Sequence, residues 1–88
     1  MSFQLVFKPT AVKDLRKLPR AVQKRIGLKL QFYANQADPM TYAVPLIGSP
    51  KAGQYRFRIG EYRAVFDKDY ETIVILYIEH RRDVYRKK

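Results

Sequence analysis

Alternating hydrophobic and polar residues mark the centre of the second half of the chain. The sequence QYRFRIGEYRAVF, residues 54–66, contains two such runs on either side of Gly60 and Glu61. Glycine at the first of two central positions is typical of a type II′ turn, so this stretch predicts a tight β-hairpin. A two-residue turn also fixes the register, which places Arg58 opposite Arg63.

The predicted hairpin has one apolar face and one cationic face, because side chains alternate along a strand with a period of two. The apolar face, which is expected to join the core, consists of Tyr55, Phe57, Ile59, Tyr62, Ala64 and Phe66. The opposite face carries Arg56, Arg58 and Arg63. Like charges directly across from each other destabilise a sheet, so this face is either a solvated basic surface or an anion site. Phosphate is the anion that the planar, bidentate guanidinium group suits best.

Two amphipathic helices are predicted between a first strand and this hairpin. Residues 3–7 alternate as in a half-buried strand, which Pro9 ends. Thr10 is the predicted N-cap of a helix that runs to residue 18, and a second helix covers residues 20–35. The apolar stripe of the second helix consists of Val22, Ile26, Leu30 and Tyr33, and Leu28 and Phe32 widen that stripe or lie beside it. The outer faces of both helices are cationic through Lys13, Arg16, Lys17, Arg20, Lys24, Arg25 and Lys29.

The remaining patterns complete an α+β fold. Residues 37–50 hold three of the five prolines and predict a loop. Residues 67–71 predict a polar turn, and residues 72–79, TIVILYIE, predict a strand in the interior of the sheet because both of its faces are apolar. The predicted order is β-α-α-β-β-β, in which an N-terminal helical hairpin packs on one face of a small, mainly antiparallel twisted sheet. The other sheet face is expected to be open and cationic.

Composition narrows the possible functions. A chain of 88 residues suits one domain, residues 1–88, and without cysteine it has no disulfide framework or thiolate site. His80 cannot form a zinc site by itself, so neither a metal nor another cofactor is expected. The formal net charge of +10 favours a nucleic acid or an acidic protein as partner. No membrane partner is expected, because the longest apolar run, residues 73–78, is too short to span a bilayer. The N-terminal residues show no signal peptide pattern, so a cytoplasmic protein is expected.

Four segments of the chain resemble the RelE/ParE superfamily of toxins from bacterial type II toxin–antitoxin pairs. The first helix, TAVKDLRKLP, is similar to the entry segment of the family, and YRFRIGEYRAVF is similar to its Y-R-I-R-x-G-x-Y-R pattern. A hydrophobic strand follows, and the ending HRRDVY resembles H-R-x-x-V-Y. The resemblance covers nearly the whole chain and implies the RelE-like microbial RNase fold, which agrees with the predicted topology.

The two branches of the superfamily imply different activities. The RelE branch implies an endoribonuclease that cleaves mRNA in the ribosomal A site without a metal and so inhibits translation. A cognate antitoxin neutralises such a toxin, and the pair usually represses its own operon by binding operator DNA through the antitoxin. In the ParE branch the same fold instead poisons DNA gyrase. A third alternative is an RNA-binding relative without activity.

The resemblance also implies a set of catalytic residues. Arg63 matches the arginine of the family's Y-R step, and Arg56 and Arg58 fall where well-known RelE enzymes carry lysines. Arg81 matches the arginine after the last strand, although Arg82 could take its role because the spacing varies. Tyr85 matches the C-terminal tyrosine, which in the family stacks on a base or assists proton transfer. RNA-binding residues are expected at Lys51, Arg82, Arg86 and Lys87.

Two residues are candidates for the general base, Tyr85 and His80. Metal-independent cleavage uses the ribose 2′-hydroxyl as nucleophile and requires a base, cations around the transition state and an acid. Arginine stays protonated in proteins, so Arg56 and Arg58 cannot be the base. Tyr85 would need neighbouring cations to ionise, and its alternative role is to close the core. Histidine changes charge near neutral pH, but His80 is equally well explained as a strand-end residue bonded to backbone or water. Glu79 and Asp83 are expected to pair with Arg81 or Arg82.

Overall fold

The computed structural model describes residues 3–46 and 53–81. The helices are α1 (Pro9–Arg16), α2 (Arg20–Ala34) and a 3₁₀ helix (Pro39–Tyr42). The strands are β1 (Gln4–Phe7), β2 (Ala43–Pro45), β3 (Tyr55–Ile59), β4 (Tyr62–Asp69) and β5 (Thr72–His80). They form one five-stranded sheet in the order β1-β5-β4-β3-β2, with β1 parallel to β5 and the other pairs antiparallel. The predicted α+β class is confirmed. Among these described residues, neither α-helix is long and apolar enough to cross a bilayer.

The sequence prediction of a loop over residues 37–50 is wrong in part, because this segment contains the 3₁₀ helix and β2. Strand β2 pairs antiparallel with β3, and Ala43 lies opposite Phe57. β2 is an edge strand, where proline is tolerated because the missing N–H removes no ladder hydrogen bond. The prolines that favoured a loop, including Pro45, are therefore compatible with strand pairing.

Helix α1 is not capped in the way that the sequence predicts. Lys8 occupies the N-cap position without a side-chain hydrogen bond, and the hydroxyl of Thr10 donates instead to the carbonyl of Leu76 in β5. One turn further along α1, Oδ2 of Asp14 accepts a hydrogen bond of 3.0 Å from the backbone N–H of Ile78. The prediction for Thr10 is wrong because a carbonyl on a distant strand takes its hydroxyl.

These two side chains attach α1 to β5 where the ladder of β5 is irregular. Val65 and Phe66 are adjacent in β4 but pair with Tyr77 and Ile75, which leaves Leu76 as the extra residue of a β-bulge. Strand β1 has already ended at this point, since its last pair is with Ile75. Side chains of α1 therefore satisfy backbone groups of β5 that β1 does not reach.

The core fills the space between the helices and one face of the sheet. It consists of Ala11, Ile26, Leu30, Tyr33, Ala34, Phe57, Ile59, Ala64, Phe66, Ile73, Ile75 and Ile78. The predicted stripe of α2 is confirmed, with Ile26, Leu30 and Tyr33 buried. Leu28 and Phe32 do not widen it, because both are exposed.

The second face of the sheet is cationic, but it is not open along its whole length as the sequence predicts. Val65 points to this face and is only 1% exposed. The backbone at Gly53 has a φ of 127°, and a Cβ there would overlap the side chain of Val65 and contact Leu46. The chain around Gly53 therefore covers this face away from the β3–β4 turn, and the cationic part near the turn stays accessible.

Candidate anion-binding site

The β3–β4 hairpin places Arg58 and Arg63 directly across from each other, as predicted. Gly60 takes the φ of 60° that the first central position of a type II′ turn requires. Glycine adopts this conformation without steric cost. Because the neighbouring residues Phe57 and Ala64 point into the core, the two arginines project from the sheet face opposite the helices.

A cavity of about 270 Å³ lies at this end of the sheet. It is lined by Arg58, Gly60, Glu61, Tyr62, Arg63 and Arg81. The three arginines come from β3, from β4 and from the residue after β5. The backbone N–H of Arg81 donates to the carbonyl of Glu61 at 2.7 Å, which fixes the end of β5 to the turn. We call this cavity, with the six residues that line it, the arginine cavity.

The charges around the arginine cavity are unequally distributed. In the sheet, Arg63 pairs with Arg58 on one side and with Glu79 on the other. Arg63 and Glu79 are half-buried, whereas Arg58 is exposed. Opposite charges across a ladder stabilise the pairing, so Glu79 offsets part of the repulsion between the arginines. The sequence placed Glu79 beside Arg81 or Arg82, and the register places it across from Arg63.

Two side chains of helix α2 extend toward the hairpin. The hydroxyl of Tyr33 donates to the backbone carbonyl of Arg58 at 3.4 Å. Burial, and then the neighbouring Tyr42, raise the pKa of Tyr33 above its ordinary value, so its phenol keeps its proton and remains a donor at neutral pH. Nη2 of Arg25 lies 3.5 Å from the place that a Cβ on Gly60 would occupy. Arg25 therefore adds a fourth cation beside the turn.

Sequence reasoning missed the position of Arg25. The helical period places this residue away from the core, and in the structure it is exposed. The period of one helix does not reveal which strand turn lies beside it. Only the packing of α2 on the sheet brings its guanidinium group to Gly60.

Arg56 shares the cationic face but does not line the arginine cavity. It lies opposite Val65, two residues before Arg58, which corresponds to about 7 Å along a strand. Its side chain is half-buried. The structure therefore brings together Arg58, Arg63 and Arg81, and Arg56 lies next to this group.

His80 faces the helices. Its ring meets the ring of Tyr62 edge-on, with centroids 4.9 Å apart, and its Nε2 lies 3.2 Å from Oε1 of Glu61. It borders a second cavity of about 280 Å³ that is also lined by Asp14 of α1 and by Lys17, the residue after α1. Glu61 links the two sites, because it lines the arginine cavity and also contacts His80. The predicted catalytic role of His80 stays a prediction.

The other predicted site residues lie outside the described part of the chain. They are Lys51, Arg82, Tyr85, Arg86 and Lys87. The described residues of the arginine cavity can bind an anion and stabilise negative charge that develops on it. Arginine cannot act as a base at neutral pH, so this cluster is suited to electrostatic stabilisation and not to proton abstraction.

Comparisons with known proteins all identify toxins as the relatives of this chain. Residues 5–85 match the family described as ParE toxin of type II toxin-antitoxin system, parDE. Toxin RelG of Mycobacterium tuberculosis is 33% identical over 89 residues, which cover 99% of this chain and all of the relative. Toxin RelE3 of Methanocaldococcus jannaschii is 29% identical over 84 residues, which cover 93% of this chain and 94% of the relative.

A solved structure extends the likeness to three dimensions. The chain is similar to one in the crystal structure of the toxin–antitoxin complex RelBE2 from Mycobacterium tuberculosis, with a TM-score of 0.74 and 30% sequence identity. The match covers 92% of this chain and 100% of that chain. The sheet and helices described above are therefore shared with a toxin that has been seen bound to its antitoxin.

Proposed function

This chain belongs to the RelE/ParE superfamily of toxins from type II toxin–antitoxin systems, and we propose that it is a ribosome-dependent endoribonuclease that cleaves mRNA. The observation that carries this proposal is the arginine cavity, in which Arg58 of β3, Arg63 of β4 and Arg81, the residue after β5, come together. Structural needs alone do not explain two arginines directly opposite each other, because that arrangement destabilises the sheet.

The arginine cavity suits a phosphodiester under attack by the adjacent 2′-hydroxyl. In that reaction the 2′-hydroxyl loses its proton as its oxygen bonds to phosphorus, and negative charge accumulates on the phosphate oxygens. A cyclic phosphate forms while the bond to the 5′-oxygen breaks, and that oxygen takes up a proton to leave as a hydroxyl. Guanidinium groups held in place before the reaction stabilise this charge at no cost of reorganisation. We assign this role to Arg58, Arg63 and Arg81, and a supporting role to Arg56 on the same face.

Proton transfer falls to other groups in this proposal. Tyr85 is the first candidate for the general base, because it follows Arg81 closely in the chain. His80 faces the helices and contacts Glu61, so its participation would require the substrate to reach past that carboxylate. Lys51, Arg82, Arg86 and Lys87 are proposed to hold the flanking RNA through its phosphates.

A cognate antitoxin is the proposed protein partner. The similar toxin of Mycobacterium tuberculosis was crystallised as a toxin–antitoxin complex, and a chain with a net charge of +10 suits an acidic partner. We further propose that the pair binds operator DNA through the antitoxin and that the toxin acts in the cytoplasm, where ribosomes and mRNA are found.

The test is cleavage of ribosome-bound mRNA by purified variants, followed by mapping of the new 5′ ends. Replacing Arg63 or Arg81 with alanine should each lower the cleavage rate by about 10²–10³, the usual loss for one preorganised donor. Arg16→Ala is the matched control, since Arg16 is an exposed arginine on α1 and should leave the rate unchanged. A double variant, Arg63→Ala with Tyr85→Phe, that still arrests translation would refute the assignment of the site.

The description of the matching family favours a second candidate, a ParE-type toxin that poisons DNA gyrase. A supercoiling assay with purified gyrase separates the two functions. Inhibition of gyrase without any RNA cleavage would reverse the order of the two candidates. Harmless expression together with RNA binding would instead indicate a relative without activity. Arg56 and Arg58, which stand where well-known RelE enzymes carry lysines, are compatible with that alternative.

A further inference from the structure

A column of stacked aromatic rings runs from the core to the surface beside helix α2. The ring of Phe66 stacks on that of Phe57 with centres 4.3 Å apart, and Phe57 stacks on Tyr33 at 4.5 Å. Tyr33 in turn stacks on Tyr42 of the 3₁₀ helix at 5.1 Å. The inner rings are buried, whereas Tyr42 is 42% exposed. Buried rings therefore support the exposed ring and hold it in position before any ligand arrives.

Phe32 forms a wall beside this outer ring. Its ring centre lies 6.0 Å from that of Tyr42, and the two ring planes meet at 69°. Phe32 is 47% exposed, so both rings offer aromatic surface to solvent. A flat nucleobase can stack on one ring and meet the other with its edge, and both arrangements are favourable between aromatic groups. We call Phe32 and Tyr42 the aromatic corner.

Cations lie next to the aromatic corner. Nζ of Lys29 is 5.3 Å from the centre of the Phe32 ring and 5.5 Å from that of Tyr33. Arg25, one turn earlier on α2, is exposed and reaches toward the turn at Gly60. No residue of α2 is acidic. Proteins bind single-stranded nucleic acids with this combination, because bases stack on exposed rings while cations follow the phosphates.

The aromatic corner adjoins the arginine cavity across one edge of the sheet. Strand β2 forms this edge, and its first residue, Ala43, lies opposite Phe57. Because the pairing is antiparallel, Tyr42 lies at the end of β2 that is nearest Arg58. The hydroxyl of Tyr33 also donates to the carbonyl of Arg58 at 3.4 Å. An RNA strand with a phosphate in the arginine cavity can therefore cross this edge and place a neighbouring base on Tyr42.

We propose that the aromatic corner is a second nucleotide-binding subsite, which stacks a base of the RNA whose scissile phosphate lies in the arginine cavity. Lys29 and Arg25 bind the phosphates that connect the two sites. The inference rests on the proposed function, because the RNA is the proposed substrate, and it adds a base contact away from the reacting phosphate. Stacking accepts any base, so the subsite contributes affinity and directs the path of the strand, but it does not select a sequence.

An acidic protein segment is the other kind of ligand that these cations suit. Such a segment would also pack on Leu28, which is 63% exposed on the same helix, and it would not require a planar ring at position 42. A stacked base requires the ring of Tyr42 and does not require Leu28. The supported ring and the short path to Arg58 favour RNA, and substitutions of Leu28 and Tyr42 separate the two ligands.

The experiment measures binding by fluorescence anisotropy with two labelled probes of equal length and charge. One is 2′-O-methyl oligoadenylate, and the other is the same backbone without bases. Neither probe can be cleaved, because its 2′-oxygens are methylated. Tyr42→Ala should weaken binding of oligoadenylate by about 5- to 150-fold, the usual effect of removing one stacked ring, and should leave binding of the base-free probe unchanged. Tyr42→Phe keeps the ring and should bind both probes as the wild type does.

Two matched controls and two further variants complete the set. Tyr70→Asn removes another exposed tyrosine, and Leu28→Ser removes an exposed hydrophobic residue of α2; both should bind oligoadenylate as the wild type does. Phe32→Ser should weaken oligoadenylate binding, and it tests the corner without disturbing the stacked column. Lys29→Gln should weaken both probes and lower the slope of log affinity against log salt by about one. Thermal unfolding of each variant confirms that the fold is retained.

The results separate this subsite from the proposed function. Unchanged oligoadenylate binding by folded Tyr42→Ala and Phe32→Ser variants overturns the subsite, and so does an equal loss on the base-free probe. It is also overturned if these variants keep RNA binding but lose binding to the purified product of the adjoining reading frame, because the surface then belongs to a protein. Cleavage of ribosome-bound mRNA is measured in parallel. A wild-type chain that binds oligoadenylate through Tyr42 but cleaves no mRNA refutes the nuclease proposal and leaves the subsite standing.

Discussion

Replacing Asp14 with alanine should destabilise the protein more than any other single change on the exposed side of α1. Oδ2 of Asp14 accepts the backbone N–H of Ile78 at 3.0 Å, and Ile78 is 7% exposed. Without the carboxylate, this buried N–H loses its partner at the point where β1 no longer pairs with β5.

The magnitude follows from the cost of one buried, unsatisfied donor. That cost is about 1–3 kcal/mol in the free energy of unfolding. In a domain of this size, each kcal/mol lowers Tm by about 4–8 °C. The loss should also lower RNA cleavage, because Ile78 lies only three residues before Arg81 and helps to hold the end of β5.

The assay is urea unfolding followed by circular dichroism, with Asp14→Asn as the matched control. Asparagine removes the charge but keeps an oxygen that can accept the hydrogen bond. The asparagine variant should therefore retain most of the stability that the alanine variant loses. Equal losses in both variants would show that the charge of Asp14 matters and not the hydrogen bond. No loss in the alanine variant would refute the reasoning outright.

Three further predictions concern the turns and one tyrosine. Tyr70 is 88% exposed and has a φ of 57°, so Tyr70→Asn should raise the free energy of unfolding by about 1 kcal/mol because asparagine tolerates this conformation; a fall in urea unfolding would contradict this. Gly60→Ala should destabilise by about 1–3 kcal/mol through backbone strain and slow RNA cleavage, and an unchanged Tm would argue against the turn geometry. The raised pKa of Tyr33 means that its contribution to stability is complete below its ordinary pKa of 10.0 and is lost as pH rises through the folded-state value. Stability should therefore fall above pH 10, and Tyr33→Phe should remove this part of the pH dependence; an equal fall in the variant would contradict the assignment.

The arginine hairpin could be predicted from sequence because its determinants are local. Gly60 selects the turn, the turn fixes the register, and the register places Arg58 opposite Arg63. The buried stripe of α2 follows equally directly from the helical period. These features depend on neighbours within a few residues, which a single sequence contains.

The features that the sequence missed depend on contacts between distant segments. Thr10 has the composition of an N-cap, but its hydroxyl donates to Leu76, 66 residues away. Arg25 faces away from the core on its own helix and still reaches Gly60. Local sequence preferences cannot identify the partner of Thr10 or of Arg25, because the packing of the helices on the sheet determines which contacts form. Strand β2 was missed for a related reason, since only pairing with β3 reveals it.

The position of β5 between β1 and β4 has a consequence for synthesis of the protein. Of the strands that the structure describes, the first in the chain pairs with the last, and Gln4 lies opposite Thr72. A nascent chain that lacks β5 leaves β1 without any partner strand, and Arg81 has not yet been added. Contacts of such long sequence separation form late and slowly. The arginine cavity therefore cannot assemble before Arg81 has been synthesised, and β1 stays without a partner strand until then.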